Sequence, residues 1–210
     1  MEFHEIRFDK IFKYSFPRGV MAKGKKEKNY KLYFYGVIIA LIFLAILNFD
    51  FQIAQIITGM RGSFLDGIML VFAYTITSVI ALVCSGIIVF IDNKKRVLKL
   101  LLSLVLTGAI AVIMKLIVAR PRPFAEGIST LSSLIKASYT KWDFSFISLH
   151  SALIFAALPF MPKKWFWPWL IFSALMAFSR VYFGLHYLSD VIAGGITGLL
   201  IAYIVIKKVK

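Results

Sequence analysis

The sequence predicts an all-α integral membrane protein, a bundle of six transmembrane helices with room for an N-terminal interfacial helix. Two observations carry that expectation. Hydrophobic residues make up 60% of the 210-residue chain and charged residues only 17%, too apolar for an ordinary soluble domain. The apolar residues also gather into runs, and about 20 mainly apolar residues cross the hydrocarbon layer as a helix.

Residues 1–22 alternate apolar and charged positions, with Phe3, Ile6, Phe8, Ile11 and Phe12 set against Arg7, Asp9 and Lys10, as a helix lying in the membrane interface would. The run Lys23-Gly24-Lys25-Lys26-Glu27-Lys28 reads as a topology determinant and a contact for anionic headgroups. Spans are expected at Leu32–Leu47, Ile68–Ile91, Val97–Val118, Ile147–Met161, Trp165–Tyr182 and Leu188–Ile206. The fourth and fifth are short, with only Pro162, Lys163 and Lys164 between them. Two spans are preferred to one kinked span, because a proline and two lysines make a turn at lower cost than a buried break. Phe51–Met60 reads either as a plain connecting loop or as a lid along the outer interface. Gly194 and Gly198 permit close helix contact within the bundle. Trp165, Trp167 and Trp169 suggest an aromatic belt at one membrane edge. The single cysteine, Cys84, sits in an apolar run and reads as packing; alone it builds neither a disulfide framework nor a cysteine metal site.

The formal net charge is +15. A nucleic-acid reader would carry such charge on one face of a polar fold, whereas here the lysines cluster between apolar runs, so no nucleic-acid partner is expected. With six spans, eighteen of the 25 Lys and Arg residues fall on the side that holds both termini and the loops around Lys94 and Lys163. Positive charge marks the cytoplasmic side, so both termini are expected there. The start, Met1-Glu2-Phe3-His4-Glu5, has no cleavable signal pattern, and the first span is expected to serve as an uncleaved anchor.

Chemistry concentrates in three short stretches: Lys115 with Arg120-Pro121-Arg122-Pro123, then Ile147-Ser148-Leu149-His150, then Ser179-Arg180 with His186 and Asp190. Ionisable residues at membrane depth mark a functional site by default. His186 and Asp190, four apart, share one face if a helix begins near His186. A carboxylate bonded to one ring nitrogen fixes the tautomer and leaves the other nitrogen with an outward lone pair, able to attack phosphorus. Lys115, Arg122 and Arg180 supply three positive charges suited to a phosphate, whose transfer spreads negative charge over oxygens that fixed cations stabilise. Ser148 and the Leu149 amide, at a helix N-terminus, form a cradle for a phosphate oxygen, and His150 is placed to protonate the leaving oxygen. Arg120 reads either as a contact to a second phosphate or sugar headgroup or, preferred, as an interfacial surface arginine. No carboxylate cluster, His-rich set or cysteine pair calls for a metal, and no phosphate-binding Gly-rich loop suggests a nucleotide.

Together the three stretches resemble the signature motifs of the phosphatidic acid phosphatase type 2 superfamily, in order and spacing, over Lys115 to Asp190. The second motif departs from the family's usual Pro-Ser-Gly-His, with Ile147 and Leu149 in place of proline and glycine. The resemblance implies that His186 is a nucleophile forming a phosphohistidine and that Asp190 orients it. It makes His150 the general acid, assigns phosphate binding to Lys115, Arg122, Arg180 and Ser148, and requires no metal or other cofactor. With the hydropathy and charge pattern, the chain is expected to divide into a basic, partly amphipathic cytoplasmic segment at 1–31, a six-helix membrane phosphatase domain at 32–206 and a basic tail at 207–210. Implied substrates are undecaprenyl pyrophosphate, phosphatidylglycerol phosphate, phosphatidic acid or a lipid A 1-phosphate, met in the cell (inner) membrane at the outward, periplasmic face. A lipid-to-lipid phosphotransferase using the same site, and a non-catalytic lipid-phosphate transporter, remain as alternatives.

Overall fold

Among the residues described by the computed structural model, 25–129 and 144–209, all regular structure is helical and no strand occurs. The expected interfacial segment at 1–22 and Lys210 lie outside the described residues. The helices are α1 (Lys25–Gly59), α2 (Ser63–Ala73), α3 (Thr75–Asp92), α4 (Lys94–Val118), α5 (Leu149–Ala157), α6 (Lys163–Tyr182) and α7 (Leu188–Lys208), with 3-10 turns at Pro123–Glu126 and Leu158–Phe160. The chain divides into two compact units, Met1–Leu44 and Ala45–Lys210. In the first, the described part is helical and exposes Phe34, Tyr35, Val37, Leu41, Ile42 and Leu44, a surface suited to lipid.

The second unit is built on stripes of small residues. On α3 the buried positions are Ser78, Ala81, Ser85 and Val89; on α4 they are Leu100, Ser103, Thr107 and Ala111. Both follow the three-and-four spacing of one helix face, while Val79, Ile80, Val83, Leu101 and Val105 point away and stay exposed. Apolar side chains gain nothing by leaving lipid for one another, so close backbone approach through small residues carries the packing. The tightest seam joins α5 and α7: a Cβ on Gly194 would lie 2.5 Å from the Ser148 carbonyl oxygen, and one on Gly198 would collide with that of Ala152. The glycine pair therefore serves contact inside the bundle, and it fixes the start of α5 against α7.

Among the described residues, four segments are long and apolar enough to cross a membrane: Phe34–Gly59, Thr75–Asp92, Lys94–Glu126 and Leu188–Lys208. Leu149–Phe160 is apolar but short. The chain breaks at Met161 and Pro162 and resumes as α6, so the fourth and fifth expected spans are separate helices.

Four expectations are corrected. Phe51–Met60 is neither loop nor lid: α1 runs on to Gly59, since nothing between Phe51 and Thr58 breaks a helix. The span expected at Ile68–Ile91 is divided at Tyr74, whose ψ of 135° is extended; the β-branched run Thr75-Ile76-Thr77 follows, a weak helix former. Trp169 does not join the belt. Trp165 and Trp167 are exposed, but Trp169, one turn further in, is buried against α5 and its indole N–H donates to the Ile154 carbonyl at 3.0 Å. Cys84 is exposed on the outer face of α3 instead of packed.

Candidate active site

The first motif lies at the end of α4. Ala119 caps that helix in the left-handed region, φ 47°, and Pro121 prevents its resumption, so the chain turns sharply and carries Arg120 and Arg122 back over the bundle. Lys115, in the last turn, donates to the Phe144 carbonyl oxygen. Arg122 is 4% exposed, and its Nη1 donates to the Leu185 carbonyl at 2.7 Å.

The third motif bridges α6 and α7. Arg180 is fully buried at the end of α6, where its Nη2 donates to Ser78 Oγ at 3.3 Å. Its carbonyl accepts the amides of Leu185 at 2.9 Å and His186 at 3.2 Å, which folds the loop back on the helix end. Gly184 makes that fold possible, with φ +65° and no room for a Cβ beside Ser129. Asp190 occupies the first turn of α7 and accepts the Tyr187 amide at 2.8 Å, closing a capping box.

Backbone hydrogen bonds lock the three motifs together. Ser145 N–H donates to the Arg120 carbonyl at 2.8 Å, Phe124 N–H to that of Gly184 at 3.1 Å, and Ser148 N–H to that of Asp190 at 3.1 Å. The structure therefore brings Lys115, Arg122, Ser148, Leu149, His150, Arg180, His186 and Asp190 to one place. Ser148 sits at the N-cap of α5, followed by Leu149 and His150 in its first turn. The Ser148 hydroxyl is buried and has no hydrogen-bond partner among the described residues, a free group suited to an incoming oxygen.

His186 is 2% exposed. Its Nε2 lies 3.3 Å from Arg122 Nη1, and its Nδ1 lies 3.4 Å from Ser145 Oγ. Burial, then the charges of Arg122, Lys115 and Arg180, hold its pKa well below the usual imidazole value, so the ring is neutral at physiological pH. The same three cations act on His150. A neutral imidazole with one lone pair directed into a cationic pocket is a nucleophile for an anionic phosphorus centre.

Arg120 corrects the surface-arginine reading. Its Nη1 donates to Asp190 Oδ1 at 3.0 Å and to Ser189 Oγ at 2.9 Å, its Nη2 meets Asp50 Oδ2 at 3.0 Å, and it stacks 3.8 Å above the Tyr187 ring centroid. Two carboxylates hold it, so it is a structural bridge. Asp50, on α1 and 1% exposed, also accepts the Ser189 amide at 3.0 Å. Sequence reasoning passed over Asp50, although a lone carboxylate in an apolar run was signal enough. It also passed over Ser145, for which no sequence signal existed. An open polar cleft of about 630 Å³, lined by residues including Gln55, Thr58, Arg61 and Asp66, contains no motif residue. Among the described residues no three His, Cys, Asp or Glu side chains are grouped to hold a metal ion.

Fold and site define a membrane-embedded phosphatase. The chain belongs to the PAP2 superfamily, whose family model matches residues 96–210. An undecaprenyl-diphosphatase of Sulfolobus acidocaldarius is 26% identical over 166 residues, 77% of this chain and 79% of that one. Undecaprenyl-diphosphatase BcrC of Bacillus subtilis is 29% identical over 164 residues, 74% of this chain and 81% of that one. The crystal structure of a transmembrane PAP2-type phosphatidylglycerolphosphate phosphatase from Bacillus subtilis shares the fold, with TM-score 0.63 and 22% identity across 83% of this chain and 96% of that one. With these relatives, the chain is an enzyme of the lipid-phosphatase class.

Proposed function

We propose that the protein hydrolyses the terminal phosphate of a membrane lipid phosphate or pyrophosphate at the outward membrane face, through a phosphohistidine on His186 and without a metal. One observation carries the reading: backbone hydrogen bonds between the three motifs gather the two histidines and the cations Lys115, Arg122 and Arg180, with Arg122 directly at His186 Nε2. Undecaprenyl diphosphate is the favoured substrate, by likeness to the two relatives named for that activity.

The phosphoryl group enters with its oxygens toward Arg122, Arg180, Lys115, the Ser148 hydroxyl and the Leu149 amide, displacing Arg122 from the His186 lone pair. Nε2 attacks phosphorus in line with the bridging oxygen. As the Nε2–P bond forms and the P–O bond breaks, His150, which takes up a proton once the anionic headgroup offsets the neighbouring cations, gives that proton to the leaving oxygen, and undecaprenyl phosphate departs from undecaprenyl diphosphate. Water then attacks phosphorus, losing its proton to His150, and cleavage of the P–N bond releases inorganic phosphate. The Asp190 carboxylate stabilises the imidazolium that forms.

The topology that accompanies this reading has six spans, with α2 and α3 together as the second and α5 and α6 as the fourth and fifth. The concentration of Lys and Arg in the N-terminal segment 1–31, the loops around Lys94 and Lys163 and the tail 207–210 supports cytoplasmic termini. It leaves the motif residues of the 32–206 domain on the periplasmic side of the inner membrane.

The test is free-phosphate release by purified protein in detergent with a chelator present. Undecaprenyl diphosphate, phosphatidylglycerol phosphate, phosphatidic acid and lipid A 1-phosphate are each supplied to wild type and His186→Ala. Release by wild type alone, fastest from undecaprenyl diphosphate, supports the proposal. Release only when an acceptor lipid is added would make the protein a transferase, and loss of activity with chelator, restored by metal, would overturn the mechanism.

A further inference from the structure

Asp190 and His186 stand four residues apart on adjoining turns, yet their side chains are not directly hydrogen-bonded: His186 Nδ1 lies 3.7 Å from Asp190 Oδ2, beyond hydrogen-bond reach. The carboxylate is already occupied. Oδ1 accepts from Arg120 Nη1 at 3.0 Å, and Oδ2 accepts the Tyr187 amide at 2.8 Å and the hydroxyl of Ser145. Ser145 is fully buried, and its oxygen is also 3.4 Å from His186 Nδ1.

We propose that Ser145 is the positioning residue that couples Asp190 to the nucleophile, its hydroxyl bridging the carboxylate and His186 Nδ1. The inference rests on the reading of His186 as nucleophile. A hydroxyl has one proton and two lone pairs, and an ionised carboxylate only accepts. The proton of Ser145 therefore points to Asp190, leaving only lone pairs toward Nδ1. An oxygen lone pair beside Nδ1 requires that Nδ1 carry the ring proton. The other side of the ring imposes the same answer independently: Arg122 Nη1 is purely a donor, and at 3.3 Å from Nε2 it faces a lone pair, not an N–H. Both constraints select the tautomer in which Nε2 is free to attack.

The distance to Nδ1 is long for a hydrogen bond, as catalytic contacts without substrate often are. It shortens as the imidazole gains positive charge in the phosphoenzyme, when the chain Nδ1–H to Ser145 to Asp190 carries that charge toward the carboxylate. The backbone of Ser145 is tied to the Arg120 carbonyl at 2.8 Å, so one residue, Arg120, places both the carboxylate and the serine that reads it. Four residues separate Ser145 from His150, and a single segment thus serves both histidines.

The chain has only three histidines, which makes selective ¹⁵N labelling of the full-length protein in detergent readable. In wild type, His186 is expected as the Nδ1–H tautomer; in Ser145→Ala, where Arg122 still faces Nε2, the same tautomer is expected to prevail and the Nδ1 resonance to shift as its link to Asp190 is lost. On undecaprenyl diphosphate in mixed micelles, Ser145→Ala is expected to lower kcat on the order of 10- to 100-fold, the loss typical of removing the partner that orients a histidine, with KM within about threefold of wild type. Ser145→Cys, near-isosteric with a weaker donor, is expected between them and serves where the alanine variant fails to fold. An unshifted Nδ1 resonance together with wild-type kcat in both variants would overturn the role of Ser145. Wild-type kcat in His186→Ala would instead overturn the nucleophile reading, a result the tautomer spectra do not depend on.

Discussion

Asp50 and Arg120, 70 positions apart in the sequence, form an ion pair at 3.0 Å, and the same guanidinium reaches Asp190 at 3.0 Å. A carboxylate in the first long helix thereby braces the carboxylate beside His186. Asp50 also accepts the Ser189 amide and hydroxyl, so it caps the start of α7 from outside that helix. Two acids share one cation, and the arrangement is sensitive to the loss of any member.

Asp50→Ala is expected to destabilise the detergent-solubilised protein by about 1–3 kcal/mol, because it strands the buried Ser189 amide and one arm of Arg120. Asp50→Asn keeps an acceptor for the amide and loses only the charge, so it is expected to fall between alanine and wild type. Thermal unfolding of the three proteins measures this; equal stabilities would show that the bridge contributes nothing.

Ser148→Ala should separate activity from stability. The Ser148 oxygen is buried without a partner among the described residues, so its removal breaks no internal hydrogen bond and should leave the melting temperature unchanged or slightly raised. If the hydroxyl is reserved for a phosphate oxygen, kcat/KM falls by about tenfold, the worth of one hydrogen bond of about 1.4 kcal/mol. Steady-state kinetics with unchanged unfolding is the expected pair of results; lower stability with intact kinetics would assign the serine to packing.

A pH dependence follows from the burial of His186. Burial first, then Arg122, Lys115 and Arg180, lower its folded pKa well below the unfolded value of 6.5. Above 6.5 neither state binds the proton and the histidine has no effect on the pH slope. As pH falls below 6.5 the unfolded chain takes up a proton that the folded protein refuses, so stability declines until the folded pKa is passed. His186→Gln removes that contribution. Its melting temperature is expected to fall less steeply than that of wild type between pH 6.5 and the acid limit; parallel curves would mean that the folded pKa is not depressed.

Much of the site was legible in the sequence because its residues are ionisable in an apolar chain, where each charge must have a reason. Lys115, Arg122, Arg180, His150, His186 and Asp190 all declared themselves in this way, and their spacing gave the motifs. Asp50 carried the same signal but had no motif around it. Ser145 was invisible, since serine at membrane depth is common and only the fold places its hydroxyl between His186 and Asp190. Arg120 was read as a surface residue because nothing local reveals that two distant carboxylates hold it. For the fold, hydropathy located the runs but not their ends: α1 continues through Asn48 and Asp50 because a buried acid with partners does not stop a helix. The break at Tyr74 is a backbone event inside a uniformly apolar stretch, where hydropathy carries no information. Trp169 and Cys84 were misplaced for a related reason, since in a membrane both faces of a helix are apolar and the pattern does not say which faces protein.

The proposed reaction is covalent, with phosphate carried on His186. It is tested by rapid quench of wild type, His150→Ala and His186→Ala with undecaprenyl diphosphate labelled in its terminal phosphate, followed by a search for label on the protein. An acid-labile, alkali-stable phosphoenzyme is expected in wild type, mapped to His186 and absent from His186→Ala. Phosphate release at the wild-type rate by His186→Ala, or turnover by wild type with no labelled protein at any quench time, would contradict it.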